Sequence, residues 1–135
     1  APTAVTATSW NGTRGMTRWY AAWTTVDQHT DAVVLDISTL SPAPNSVKIR
    51  SFDVIVNGDV DIAFEFDATT DELIDRFVGQ SDLTNLFDRD YTDGPSNGFV
   101  PTTTAAGFTG DILLTTLNAA NLDEVNALII FERNS

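Results

Sequence analysis

With 135 residues the chain has room for one domain and enough interior to fold without covalent staples. It contains no cysteine, which excludes disulfides, thiolate metal sites and cysteine nucleophiles. Its formal net charge of −12, with Arg14, Arg18, Lys48, Arg50, Arg76, Arg89 and Arg133 as the cations, opposes direct binding to nucleic acid or to anionic membranes.

Ala1 to Thr17 are small, polar and glycine-dotted, and Trp10 is the one large apolar side chain before Met16. Such a segment buries too little to order itself. It reads as an extended N-terminal arm, residues 1–17, that needs its own domain or a neighbour as partner, with Trp10 as anchor. Its removal is then expected to leave the remaining domain, residues 18–135, folded. The opening Ala1-Pro2-Thr3 reads as a start left by removal of an initiator methionine. No basic segment followed by an apolar run marks a signal peptide, and no run approaches the ~20 apolar residues of a membrane span. Folding in the cytosol is the expectation.

Arg18 to Val26 is aromatic and β-branched and favours a strand, as does Ala32 to Ile37, where Val33, Leu35 and Ile37 are in phase. Ser41-Pro42-Ala43-Pro44-Asn45 is a turn, because proline cannot continue a ladder. Val47 to Val56 changes phase midway. Val47 and Ile49 point one way, whereas Phe52, Val54 and Val56 have the opposite parity, so one extra residue near Arg50-Ser51 predicts a β-bulge. Asn57-Gly58 between two alternating runs is a strong hairpin signal. The second run places Val60, Ile62, Phe64 and Phe66 on a buried face and Asp59, Asp61, Glu65 and Asp67 on a wet one. The segment after Thr69-Thr70-Asp71-Glu72 has apolar spacings that fit a short helix nearly as well as a strand, and the strand-like reading is preferred. Ser81 to Gly107 reads as one long polar loop with turns at Asp93-Gly94-Pro95 and Asn97-Gly98, of a length that binds or covers something. Asp111 to Leu117 and Glu124 to Glu132 close the chain. In the latter, Val125, Ala127, Ile129 and Phe131 suit a core while Leu128 and Ile130 fall on the opposite face. The sum is an all-β protein, a single antiparallel β-sandwich or jelly roll of about seven or eight strands with an extended N-terminal arm.

A search for chemistry yields little. His29 is the single histidine, with Asp27 and Asp31 nearby but no nucleophile motif, and reads as a loop residue. Asp88, Asp90 and Asp93 before Gly94 approach a calcium-loop spacing but miss it by one residue and lack the closing glutamate, so a solvated acidic turn is preferred. Asn11-Gly12-Thr13 has the form of a glycosylation sequon, meaningful only in a eukaryotic secretory protein. Trp10, Trp19, Trp23 and Tyr91 are candidate sugar-stacking platforms, although tryptophans sharing a strand face more often form core. No catalytic residue, metal site or cofactor is assigned, and the protein is read as a non-enzyme.

Four segments carry a family resemblance: Ser46-Val47-Lys48-Ile49, Phe64-Glu65-Phe66-Asp67-Ala68-Thr69-Thr70-Asp71, Ala106 to Thr116 (AGFTGDILLTT), and Leu128-Ile129-Ile130-Phe131-Glu132. In pattern, from Thr13 to Arg133, the chain resembles the small β-sandwich capsid decoration (cement) proteins of tailed, marine-type bacteriophages; Asp82 to Asn97 lies outside the match. The resemblance implies a non-enzymatic virion protein, made in the host cytoplasm and bound to the outer capsid surface. There, often as a homotrimer, it would bridge subunits of the major capsid protein. Under that reading Trp10, Arg14 and Met16 of the arm are candidate capsid contacts and Leu128 and Ile130 a candidate subunit interface. The alternatives are a tail-tube or head-closure component of a phage and a carbohydrate-binding β-sandwich module.

Overall fold

The computed structural model describes residues 2–134. It contains seven strands: β1 (Val5–Trp10), β2 (Arg14–Ala22), β3 (Ala32–Leu35), β4 (Val47–Phe66), β5 (Glu72–Asp90), β6 (Ile112–Leu117) and β7 (Glu124–Arg133). They form one antiparallel sheet in the order β1-β2-β7-β4-β6-β3, with β5 on the other side of β4. The all-β sandwich class read from the alternation is therefore the fold.

The long strands β4 and β5 organise the molecule. Along one edge, β4 pairs first with β7, from Val47 to Asn57, and then with β6, from Asp61 to Phe66; along the other it pairs with β5. Both strands bend midway, so their two halves enclose one core. Phe52 of the first half lies 4.6 Å from Phe64 and 5.5 Å from Phe77, centroid to centroid. Around them sit Trp19, Val54, Ile62, Phe66, Ile112, Leu114, Ile129 and Phe131, all essentially buried. This dry interior supplies the stability that a cysteine-free chain must find in packing.

The bulge expected near Arg50-Ser51 is present. The register against β7 slips between Ile49 and Ser51, opposite Phe131 and Ile130. That slip keeps Val47, Ile49, Phe52, Val54 and Val56 all inside despite their change of parity.

Asn57-Gly58 is a correction. It does not turn a hairpin; β4 continues through it without a break. Gly58 has φ of 96° and starts an irregularity where the β5 register slips from Asn57↔Thr84 to Gly58↔Gln80. The two runs that flank it pair with different strands, so the positive-φ residue supplies a bend rather than a reversal. A Cβ on Gly58 would stand 1.9 Å from Asp123 Oδ1, and one on Gly79 would stand 2.2 Å from the Gly58 carbonyl oxygen. The bend thus depends on two glycines that let the backbones of β4 and β5 meet. The reversal lies instead between β4 and β5, where the Asp71 carboxylate accepts from the Ala68 N–H at 3.0 Å.

Two further expectations change. Residues 81–90 are not loop but the second half of β5, paired with β4 from Ser51 to Asn57. The real connection, residues 91–111, folds back onto the sandwich. Phe99 pairs with Ile49 by two backbone hydrogen bonds of 2.7 and 2.9 Å and stacks on Phe66. In covering the core it matches one of the two roles expected of a long loop. The segment 1–17 holds β1 and the start of β2, so over its described residues it docks on its own domain. Trp10 stacks on Phe131 at 5.6 Å, donates its Nε1–H to the Pro42 carbonyl at 3.0 Å, and lies under the Arg133 guanidinium. Thr17 is wholly buried. Deleting residues 1–17 would therefore strip a strand pair from the sheet and uncover Phe131, rather than leave the domain intact.

Candidate interaction face

One side of the β1-β2-β7-β4-β5 half-sheet faces the core, and the other faces outward with its side chains in rows fixed by the strand register. One row reads Val5, Tyr20, Asn126, Ile55, Leu86 across the five strands. The next reads Ala7, Arg18, Leu128, Asp53, Asp88, and the third Ser9, Met16, Ile130, Ser51, Asp90. Strand periodicity explains the sorting: Trp19, Ala127, Ile129, Val54 and Phe87 alternate with these positions and point inward. The outer face keeps Val5, Met16, Tyr20, Ile55 and Leu86 exposed, while Leu128 and Ile130 are half-buried by their neighbours.

Charge is unevenly spread on this face. Arg14 at 2.9 Å, Arg50 at 3.1 Å and Lys48 at 3.4 Å all converge on the Glu132 carboxylate. Hydrogen bonds from Arg14, foremost, and from Lys48, together with the charges of Lys48 and Arg50, hold that carboxyl below its usual range. Arg18 lies on the same face, and with Arg133, which lies over Trp10 on the inner side, five of the chain's seven cations belong to β2, β7 and the first half of β4. The β5 side instead carries Asp82, Asp88 and Asp90. A composition that suggests a uniformly acidic exterior therefore folds into a half-sheet with a cationic flank and an anionic one.

The structure brings several sequence-level candidates together. Met16 stands directly opposite Ile130, Arg14 opposite Glu132, and Leu128 next to both Arg18 and Asp53. Arg14, Met16, Leu128 and Ile130 thus share one surface, with a shallow depression of about 200 Å³ between Ser9, Arg14, Met16 and Ile130. Trp10 does not join them, because its ring is occupied by Phe131 and Pro42 on the inner side of the sheet.

Trp19 and Trp23 are almost wholly buried, as expected for tryptophans that share a strand face and form core, and offer no platform for a sugar. Tyr91 is half-covered and donates its hydroxyl to the Asp75 carboxylate; burial and that carboxylate push its pKa up. His29 is indeed in a loop, between β2 and β3, yet it is buried with its ring 5.2 Å from Trp19 and 5.9 Å from Trp23. Its Nε2 lacks a hydrogen-bond partner among the described residues, and burial lowers its pKa.

Asp88 and Asp90 stay in the β5 ladder, and Asp90 accepts from the Thr92 N–H and hydroxyl. The acidic group that does converge among the described residues is Asp31, Glu65 and Asp71, with ligand atoms within 4.8 Å of one another. Burial, Asp71 and Asp31 together raise the Glu65 pKa. Oxygen donors of this kind suit a hard cation such as calcium. Sequence spacing could not reveal the trio, since Asp31 reaches Glu65 through the β3–β6 and β4–β6 pairings and Asp71 through the β4–β5 turn.

No family model and no curated relative matches the chain. Among solved structures, the chain is similar to a protein from a study of Bacillus endospore appendages as disulfide-linked pili. The identity is 12%, with a TM-score of 0.42, over 100% of this chain and 92% of that one. It is also similar to the Tobacco streak virus coat protein dimer, at 11% identity and a TM-score of 0.41, over 98% and 86%. A second form of that coat protein gives 11% and 0.38, over 96% and 85%. Likenesses this distant carry no argument about function.

Proposed function

We propose that the protein is a non-enzymatic structural subunit of a virion, a decoration protein that binds the outside of an icosahedral phage head and bridges major capsid subunits, as a homotrimer. The supporting observation is the outer face of the five-stranded half-sheet. It is a broad, nearly regular surface on which Met16, Leu128 and Ile130 form an apolar centre, flanked by the Arg14-Lys48-Arg50-Glu132 network. Such a face offers the apolar core and polar rim of a protein–protein contact. This reading assigns Arg14, Met16, Leu128 and Ile130 to one contact surface with the capsid, in place of separate arm and subunit contacts. Many copies, each held modestly, suffice on a repetitive lattice because avidity multiplies weak contacts.

The measurement that tests this is quantitative mass spectrometry of purified particles from the source, with the major capsid protein as internal standard. A copy number comparable with that of the major capsid protein, lost when heads are stripped of their outer proteins, is expected. A handful of copies per particle would move the reading to a tail-tube or head-closure component, and complete absence would overturn the virion role.

A further inference from the structure

The half-sheet ends in two free edges. Among the described residues β1 pairs with β2 alone and β5 with β4 alone. Unpaired edges with exposed apolar side chains are templates for further strand pairing, and soluble proteins usually guard them with charge or proline. β1, Val5-Thr6-Ala7-Thr8-Ser9-Trp10, carries neither. Val5 is 65% exposed at one edge and Leu86 75% exposed at the other, and both belong to the same transverse row of the same face.

From these edges we infer that β1 of one copy pairs in parallel with residues 86–90 of β5 on a second copy, joining subunits head to tail into one continuous sheet. The directions permit it. Every neighbouring pair from β1 through β2, β7 and β4 to β5 is antiparallel, so β1 and β5 run the same way. The phase permits it too: with Val5 beside Leu86, Ala7 falls beside Asp88 and Ser9 beside Asp90, with outward residues on the same face throughout.

Charge selects this pairing over the two symmetric ones. Asp88 stands directly opposite Asp53, a like-charge cross-strand pair that costs stability. Arg18 makes no salt bridge among the described residues and lies behind Ala7, whose small side chain leaves the way across β1 open. In the joined sheet Arg18 of one copy sits two strand spacings, roughly 10 Å between backbones, from Asp88 of the other, a gap that a guanidinium side chain largely spans. Pairing β1 with β1 would instead set the Arg14 and Arg18 flanks together, and pairing β5 with β5 the Asp82, Asp88 and Asp90 flanks. Such a heterologous contact closes into a ring when the rotation between copies allows and otherwise grows as a filament. The inference deepens the homotrimer element of the proposed function, and rests on it only for the number of copies.

Because the chain has no cysteine, the contact can be trapped by disulfide formation. Full-length Val5→Cys and Leu86→Cys variants, mixed in free solution and mildly oxidised, are expected to give a heterodimer at least tenfold above a Val5→Cys mixture with Val26→Cys, an equally exposed control position. Arg18→Asp should lower that yield, and Asp88→Arg on the other copy should restore it. Homodimers of Val5→Cys forming as readily as the mixed species would overturn the inference in favour of two-fold pairing. Mixed yields no higher than the control, with folding confirmed by circular dichroism, would overturn it outright. No particle is present in this experiment, so its failure leaves capsid attachment to be judged by copy number, and absence from particles leaves a positive cross-link standing.

Discussion

His29 shows how a single side chain is decided by what the fold places around it. Its neighbours in sequence, Gln28 and Thr30, suggest a wet loop. In the structure its backbone N–H is held by Thr116 Oγ1 at 3.0 Å, its carbonyl accepts from the Thr116 N–H at 2.9 Å, and the ring is inserted between two tryptophan edges. Burial favours the neutral imidazole, so the folded-state pKa lies below the unfolded value near 6.5. The unfolded chain then takes up the proton first. The contribution of His29 is complete above about pH 6.5 and is lost as pH falls below that value, with a slope of at most about 1.4 kcal/mol per pH unit for one proton. Melting temperatures of wild type and His29→Gln compared between pH 7.5 and 5.5 check this. The wild type should lose stability more steeply, and parallel curves would mean that His29 does not titrate differently on folding. No sequence pattern signals this environment, because Trp19 of β2 is brought to the ring and Thr116 of β6 to the His29 backbone only by the fold.

At the scale of the element, β4 and β5 show where local rules hold and where they yield. The phase change at Arg50-Ser51 was legible because every residue from Val47 to Val56 has a buried or an exposed side, and one inserted residue must displace the pattern. The same alternation placed Leu128 and Ile130 on the outer face of β7. Asn57-Gly58 misled because a positive-φ glycine serves a bulge as well as a hairpin, and pairing partners far away in sequence choose between them. Residues 81–90 and β1 escaped detection for a related reason. Edge strands are held by backbone hydrogen bonds along one side and bury little, so they carry no strict apolar alternation. Gly79 is the element's most exacting position, since a Cβ there meets the Gly58 carbonyl at 2.2 Å and Val56 Cγ1 at 2.7 Å. Gly79→Ala is expected to cost about 1–3 kcal/mol by overpacking, a fall of roughly 5 °C or more in melting temperature. Thermal denaturation followed by circular dichroism tests it; an unchanged midpoint would show that the bend tolerates a wider backbone separation.

For the whole molecule, the consequential feature is the outer face with its two free edges. Leu128 is half-buried among Arg18 and Asp53, so replacing it removes little core and alters the centre of the proposed capsid contact. Leu128→Glu is therefore expected to lower occupancy on stripped heads at least tenfold, about 1.4 kcal/mol, while its melting temperature stays within a few degrees of wild type. Re-addition of purified protein to stripped particles, read by gel densitometry, measures this. Full occupancy by the variant would remove Leu128 from the contact.

Taken by itself, the sequence determined the class of the fold, the identity of most core side chains, the bulge in β4 and the strongly acidic balance, because period-2 burial and charge are local properties of the chain. Only the tertiary structure decided that residues 5–10 are a docked edge strand, that Asn57-Gly58 bends rather than turns, and that Asp31, Glu65 and Asp71 meet. It alone gathered five of the cations onto β2, β7 and the first half of β4. Those outcomes depend on which distant strands pair and in what register. Pairing is set by burying both halves of β4 and β5 around one core, a condition no stretch of sequence can satisfy alone.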